Sequence, residues 1–316
     1  MNLKTNFVIF LFLCAAPTLS GQAFKEEVGY LAAKHDRISW PAPELIVENL
    51  RSKNPQVRLE ALRLLGVEEE QAHDALWSQT SPSKTTGETV VTPDQIELTY
   101  AALGDDMTQQ ALIALQLSKK QLTFAAIATP KAKGWERVAV FYCWCKYEMY
   151  RGRNSLAEFV QLRPVPGGAA ETPERFELVL RASGGGTGIY TQNEAHFRIH
   201  NGRIDRLIDF VSRSRSCDPT GPMPQRCTIE RRWLYPTTTT TGAAWVLVTG
   251  RGEYQTEVSL SPQMDLNTLE TRYLSRFSCR TYIWDENSFN YVRLTNSKPC
   301  FVPPEHSQGR SSDPSK

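Results

Sequence analysis

Histidine is scarce: five stand among 316 residues, none in H-E-x-x-H or H-x-E spacing, so zinc-protease and zinc-deaminase signatures are absent. No G-x-S-x-G elbow occurs, which removes the usual nucleophile signature of an α/β hydrolase. Surplus charge is missing too. Lys and Arg number 36 against 34 Asp and Glu, and a net +2 gives no pull towards nucleic acid or an anionic membrane. Beyond residues 7–16 no apolar run approaches the ~20 residues of a membrane-crossing helix, so no transmembrane span is expected in the mature chain.

What is present begins with a leader. Lys4 precedes the apolar run at 7–16, and Pro17, Ser20, Gly21 and Ala23 supply a small-residue exit. A basic start, an apolar stretch of ~10 residues and a small-residue end are the three parts of an export signal. Residues 1–23 are therefore expected to be a cleaved signal peptide, and the mature chain periplasmic or extracellular.

The cysteines agree with that compartment. After Cys14, six remain: Cys143, Cys145, Cys217, Cys227, Cys279 and Cys300. An even number in an exported chain favours disulfides. Cys217 and Cys227 flank Pro219, Gly221, Pro222 and Pro224, which predicts a short-range bridge. Cys279 and Cys300 bracket an expected hairpin and form the next candidate pair. Cys143 and Cys145 sit two apart in a strand pattern, ~6.5 Å from each other on one face, which is too far to bridge without distortion. They read as two core thiols or as a metal or redox pair.

Residues 24–77 follow a helical period. Phe24, Val28, Leu31 and His35 keep helix spacing, Pro43 opens a second segment, and Asn54-Pro55 supplies an N-cap with a first-turn proline. Val57, Ala61, Leu64 and Leu65 mark one buried face, with Arg58 and Arg63 pointing away and Gly66 ending the helix. The stretch PELIVENLRSKNPQVRLEALRLLG, residues 43–66, resembles a HEAT repeat. About one repeat is covered, which implies a small helical cap and a generic contact surface.

Residues 78–94, with Ser81, Pro82, Thr85, Thr86, Gly87 and Pro93, read as a linker. Residues 303–316 read as a disordered polar tail. Between them, 95–302 change to period two, in roughly a dozen short strands separated by Gly, Asn, Asp or Pro turns. The fold class expected is mainly β with an N-terminal α-helical cap: an antiparallel β-sandwich or propeller-like set of sheets carrying HEAT-like helical hairpins.

Candidate chemistry in this part is thin. Leu103-Gly104-Asp105-Asp106 between strands resembles a degraded FG-GAP or VCBS loop, a unit that often holds calcium. Only Asp105 and Asp106 remain as carboxylates, with Met107 and Thr108 where ligands belong, so a tight turn without an ion is expected. Ser183 to Gly188 is glycine-rich but lacks Gly-Lys-Ser/Thr and a following helix, which predicts a hairpin, not a phosphate cradle. No cofactor is implied. Glu194, His196, Arg198 and His200 share one face of a strand and read as the polar side of a half-exposed strand, with His196 and His200 ~13 Å apart. Tyr282, Trp284 and Phe289 are expected to fill a core.

Arginines crowd into thirty residues: Arg203, Arg206, Arg213, Arg215, Arg226, Arg231 and Arg232. A guanidinium grips planar anions in a bidentate manner. Arg213, Arg215, Arg231 and Arg232 are thus the candidate surface for an acidic glycan or protein partner. No catalytic residues are assigned. The sequence points to an exported non-catalytic binding or scaffolding protein. A secreted hydrolase with a site assembled from distant residues, and a purely structural envelope protein, are the other readings.

Overall fold

The computed structural model describes residues 31–34, 37–74, 89–104, 106–117, 122–144, 156–165, 175–186, 189–217, 225–239, 242–256, 266–285 and 287–294. Residues 1–23, with the expected leader, and 303–316, the expected tail, lie outside them. The described chain is mainly β, with two large antiparallel sheets. The first contains β1 (Leu31–Lys34), β2 (Ile38–Trp40), β5 (Gln95–Ala102), β6 (Gln109–Leu117), β7 (Leu122–Lys131) and β8 (Gly134–Trp144). Its order is β1-β8-β7-β6-β5, with β2 also on β8.

The second sheet is an eight-stranded meander in sequence order. It runs through β9 (Val160–Pro164), β10 (Phe176–Gly186), β11 (Ile189–His200), β12 (Arg203–Cys217), β13 (Gln225–Thr239), β14 (Gly242–Thr256), β15 (Leu274–Asp285) and β16 (Asn290–Leu294). Glycines 184–186 lie in the β10–β11 ladder, paired with Thr191, Tyr190 and Ile189, as a glycine-rich hairpin requires. Helices are few: α1 (Pro43–Leu50), α2 (Pro55–Leu65), α3 (Glu69–Ala72), α4 (Leu156–Phe159) and α5 (Leu266–Tyr273). Among the described residues, no helix is long and apolar enough to cross a membrane.

Helices α1 and α2 form where the sequence signals stand. Asn54 accepts from the Gln56 amide at 2.9 Å, Pro55 fills the first turn, and Gly66 ends α2 with φ +94°. That left-handed geometry costs glycine least. The end is also fastened from outside: Trp40 Nε1 and Arg137 Nη1 donate to the Leu64 carbonyl at 2.8 and 2.6 Å. Arg137, on β8, is buried and brings a cation to a helix C-terminus.

The first sheet is covered on both sides. Ile46, Leu50, Leu62 and Leu65 of the helices pack on Ile113, Leu115, Phe124 and Val140. On its other face Leu112, Ala125, Ile127 and Phe141 meet Leu178, Leu180, Ala195 and Phe197 of the second sheet, with Leu156 and Phe159 of α4 between. In consequence β6 and β7 are buried almost continuously, not alternately. Alanines at 114, 125, 126 and 128 let both layers approach closely. The layers are also stitched by backbone, since the Ile199 amide donates to the Leu103 carbonyl at 2.8 Å.

Three local expectations are corrected. Leu31–Lys34, read as helical, is strand β1 and pairs with Val140 to Cys143 of β8. The open edge of β8 offers backbone partners that outweigh a helical spacing of side chains. Arg58 does not point away: it is buried and donates to the Ser52 and Val90 carbonyls at 2.8 and 3.0 Å. The expected linker is in part structural, because strands β3 (His73–Asp74) and β4 (Thr89–Val90) pair, and Val90 and Val91 enter the core. Residues 75–88 lie outside the described residues.

Candidate functional site

Strand alternation divides β11 into two rows. Ala195, Phe197 and Ile199 join the core between the sheets. Glu194, His196 and Arg198 point to the opposite face, which β14–β16 fold over with Trp245, Tyr282 and Tyr291. The row is therefore buried, not half-exposed: Glu194 retains 4%, His196 0% and Arg198 3% of its surface.

His196 is held at both ring nitrogens. Nδ1 lies 2.8 Å from Glu177 Oε2, and Nε2 lies 2.9 Å from Glu194 Oε1. With both glutamates ionised, each contact requires an N–H on the ring, which makes it an imidazolium. Arg163 Nη1 stands 3.3 Å from Nε2, a longer approach than the carboxylate. Burial opposes charge on His196, but hydrogen bonds and charges from Glu177 and Glu194 outweigh it and raise the pKa. Glu194 also accepts from Arg181 Nε at 2.6 Å and Arg163 Nη2 at 3.2 Å. Burial would lift its pKa, yet His196 and the two arginines hold it far below the ordinary carboxylate range. Glu177, with no exposed surface, accepts the Tyr291 hydroxyl, whose own pKa is driven up by burial and then by that carboxylate.

Aromatic walls close the cluster. The Arg163 guanidinium lies 5.4 Å above the Trp245 ring, His196 meets that ring edge-on at 6.1 Å, and Arg198 lies 5.0 Å from Trp284. A crevice beside it, lined by Leu207, Ile208, Leu234, Leu247, Tyr282 and Tyr291, holds about 10 Å³, room for no more than one water. An imidazolium with both nitrogens engaged has no lone pair for proton abstraction or metal binding. Chemically, the cluster is a charge knot joining β9, β10, β11 and β16.

The expected anion-binding arginines part company. Arg213 Nε lies 3.2 Å from Glu270 Oε1, and Arg231 pairs with the other oxygen of the same carboxylate. Glu270 comes from α5, a helix the strand pattern does not announce, and is 1% exposed. Arg213 and Arg231 are cross-strand neighbours, and this one buried carboxylate offsets their repulsion. Arg231 also lies 4.7 Å from the Trp233 ring, and Arg215 is buried. Only Arg232 lies on the opposite side of the sheet, where it is half-buried and pairs with Glu230 at 2.7 Å.

At one end of this side Trp245, Leu247, Tyr282 and Tyr291 enter the buried cluster; the other end is its outward part and holds arginines from later in the chain. Register places Arg232, Thr249 and Ser278 in one row across β13–β15, and Glu230, Arg251 and Arg276 in the next. Glu253 faces Thr228, and Arg226 faces Gln255. Towards the buried end come Arg280, opposite the buried Leu247, and Arg293, opposite the buried Tyr282. Arg226, Arg251 and Arg276 have side-chain exposures of 71, 60 and 69%, and Arg280 and Arg293 are exposed. Glu253 serves both Arg226 and Arg276, while Glu230 serves both Arg232 and Arg251. Six guanidinium groups thus meet two carboxylates among the described residues of this face, an excess of four positive charges.

The remaining sequence candidates are quickly placed. Cys217 and Cys227 form a disulfide between β12 and β13. Cys279, on β15, is disulfide-bonded; Cys300 lies outside the described residues, as do Cys145 and the side chain of Cys143. Asp105 is likewise outside, and Asp106 accepts from the Thr108 amide at 3.1 Å in an exposed turn. Among the described residues, no group of three His, Cys, Asp or Glu side chains is placed to hold a metal ion. Tyr282, Trp284 and Phe289 pack in or against one apolar cluster. Comparison with known families, curated proteins and solved structures gives no match.

Proposed function

We propose that this is an exported, non-catalytic binding or scaffolding protein that meets an anionic partner on the open, arginine-bearing end of β13–β15 and its margin at Arg280 and Arg293. The observation that carries the reading is the arginine excess on that face, where Arg251 and Arg276 stand directly opposite each other. Like charges so placed cost stability unless something anionic lies over them. The Arg213–Arg231 pair shares one buried carboxylate; Arg251 instead pairs with the half-buried Glu230 and Arg276 with the exposed, solvent-screened Glu253. A disulfide at Cys217–Cys227 supports an oxidising compartment. In the same reading α1 and α2 are a HEAT-like cap, and the two sheets a sandwich that presents this face rigidly.

The test is retention of the full chain on immobilised polyanions, an acidic polypeptide and an acidic polysaccharide among them. Binding should weaken with salt and in the variant Arg251→Gln/Arg276→Gln/Arg280→Gln. A chain that passes through every such column at low salt contradicts the reading.

A further inference from the structure

The partner's chemistry is written in the spacing of this face. Rows two residues apart along a strand are separated by about 6.6 Å. Counting rows from Tyr282 down β13–β15, arginine occurs in the first (Arg293), second (Arg280), third (Arg232), fourth (Arg251 and Arg276) and sixth (Arg226). Rows one and two hold the buried Trp245, Tyr282 and Leu247, so the open stretch is rows three to six, about 20 Å long with four guanidinium groups, and the exposed Arg280 and Arg293 stand at its margin. Such an array matches a linear polymer with charge at regular intervals, laid along the strands.

What stands between the arginines narrows the polymer. Thr249, Ser278, Thr228 and Gln255 occupy the same face, and rows three to six hold no aromatic ring among the described residues. Protein hot spots centre on aromatic anchors in pockets, and single-stranded nucleic acid on stacking platforms; neither is present in those rows. Hydroxyl and amide side chains suit the hydroxyls of a sugar chain. Every cation of the band is Arg and none is Lys, which favours planar or multi-oxygen anions gripped by two N–H groups at once.

We infer that the open, arginine-bearing end of β13–β15, with its margin at Arg280 and Arg293, binds a linear polysaccharide bearing carboxylate or sulfate groups; this rests on the reading of that end as the binding surface. The full chain is compared on columns of polygalacturonate, heparin, poly-L-glutamate and single-stranded DNA. The polysaccharides should retain it to higher salt than the polypeptide or the DNA. The variant Arg251→Gln/Arg276→Gln/Arg280→Gln should lose about tenfold in affinity for whichever polysaccharide binds, since each exposed ion pair is worth a factor of a few. The charge-matched control Lys53→Gln/Lys131→Gln/Lys133→Gln, on exposed positions of the α1–α2 connection and the β7–β8 hairpin, should lose less than twofold. Thermal melts of both variants within a few degrees of the parent establish folding. Equal or stronger retention on polyglutamate or DNA overturns this inference and leaves the binding face standing. Retention on none of the four overturns both. Equal losses in the variant and the control overturn the assignment to this face.

Discussion

Replacing His196 by alanine tests the charge knot at its centre. The imidazolium is the shared partner of Glu177 and Glu194, with contacts of 2.8 and 2.9 Å and no exposed surface. Removing one member of a buried pair costs about 3–5 kcal/mol, because the remaining charge stays desolvated. Glu194 keeps Arg181 and Arg163, so Glu177 bears most of the loss, and about 4 kcal/mol is expected. With a urea slope of about 2–3 kcal/mol per molar, the unfolding midpoint should fall by about 1.3–2 M. A second substitution makes the reasoning refutable. Glu177→Gln should destabilise the parent, where it removes the counter-charge of His196, yet stabilise His196→Ala, where it removes an orphaned carboxylate while leaving an acceptor for Tyr291. Urea melts of the four proteins measure that reversal of sign. If Glu177→Gln destabilises both backgrounds equally, His196 and Glu177 are not coupled and the imidazolium assignment is wrong.

The same ions set the pH response. His196 is raised above its ordinary 6.5, so its contribution is complete below that pH and is lost as pH climbs through the folded-state value; a falling urea midpoint on the alkaline side, absent in His196→Gln, is expected. Glu194 is lowered from 4.5, so its contribution is complete above that pH and disappears on acidification. Gly252→Ala should cost about 3 kcal/mol or more in a thermal or urea melt, because a Cβ there would stand 2.0 Å from the Tyr273 carbonyl oxygen, which is backbone at a strand irregularity. Cys217→Ser/Cys227→Ser, or reduction, should cost about 3 kcal/mol for a loop with a sequence separation of 10, measured by melts with and without reductant.

Local chemistry was legible in the chain, and encounters between distant elements were not. Asn54-Pro55 and Gly66 announce α2 because capping is decided within a few residues. The Cys217–Cys227 bridge follows from the short Pro- and Gly-bearing sequence that separates the two cysteines. Leu31–Lys34 misleads because the edge of β8 chooses its conformation. The burial of Glu194 and His196 depends on Arg163, Glu177 and Tyr291; Tyr291 and Glu177 are 114 residues apart, and no spacing rule links them. Arg213 and Arg231 looked available because Glu270 sits on a helix eight residues long amid strands. A fainter signal did exist for the outward face. Glu230 and Arg232, Arg251 and Glu253, and Arg276, Ser278 and Arg280 each keep period two, placing them on one side of their strands.

The most direct measurement is arginine footprinting: the full chain is modified with phenylglyoxal with and without polygalacturonate or heparin, and each arginine is read by mass spectrometry. Protection should gather on Arg226, Arg251, Arg276, Arg280 and Arg293, while Arg51, Arg63 and Arg175, exposed elsewhere, react as before. Uniform protection, or protection that avoids β13–β16, would contradict an anion-binding face there.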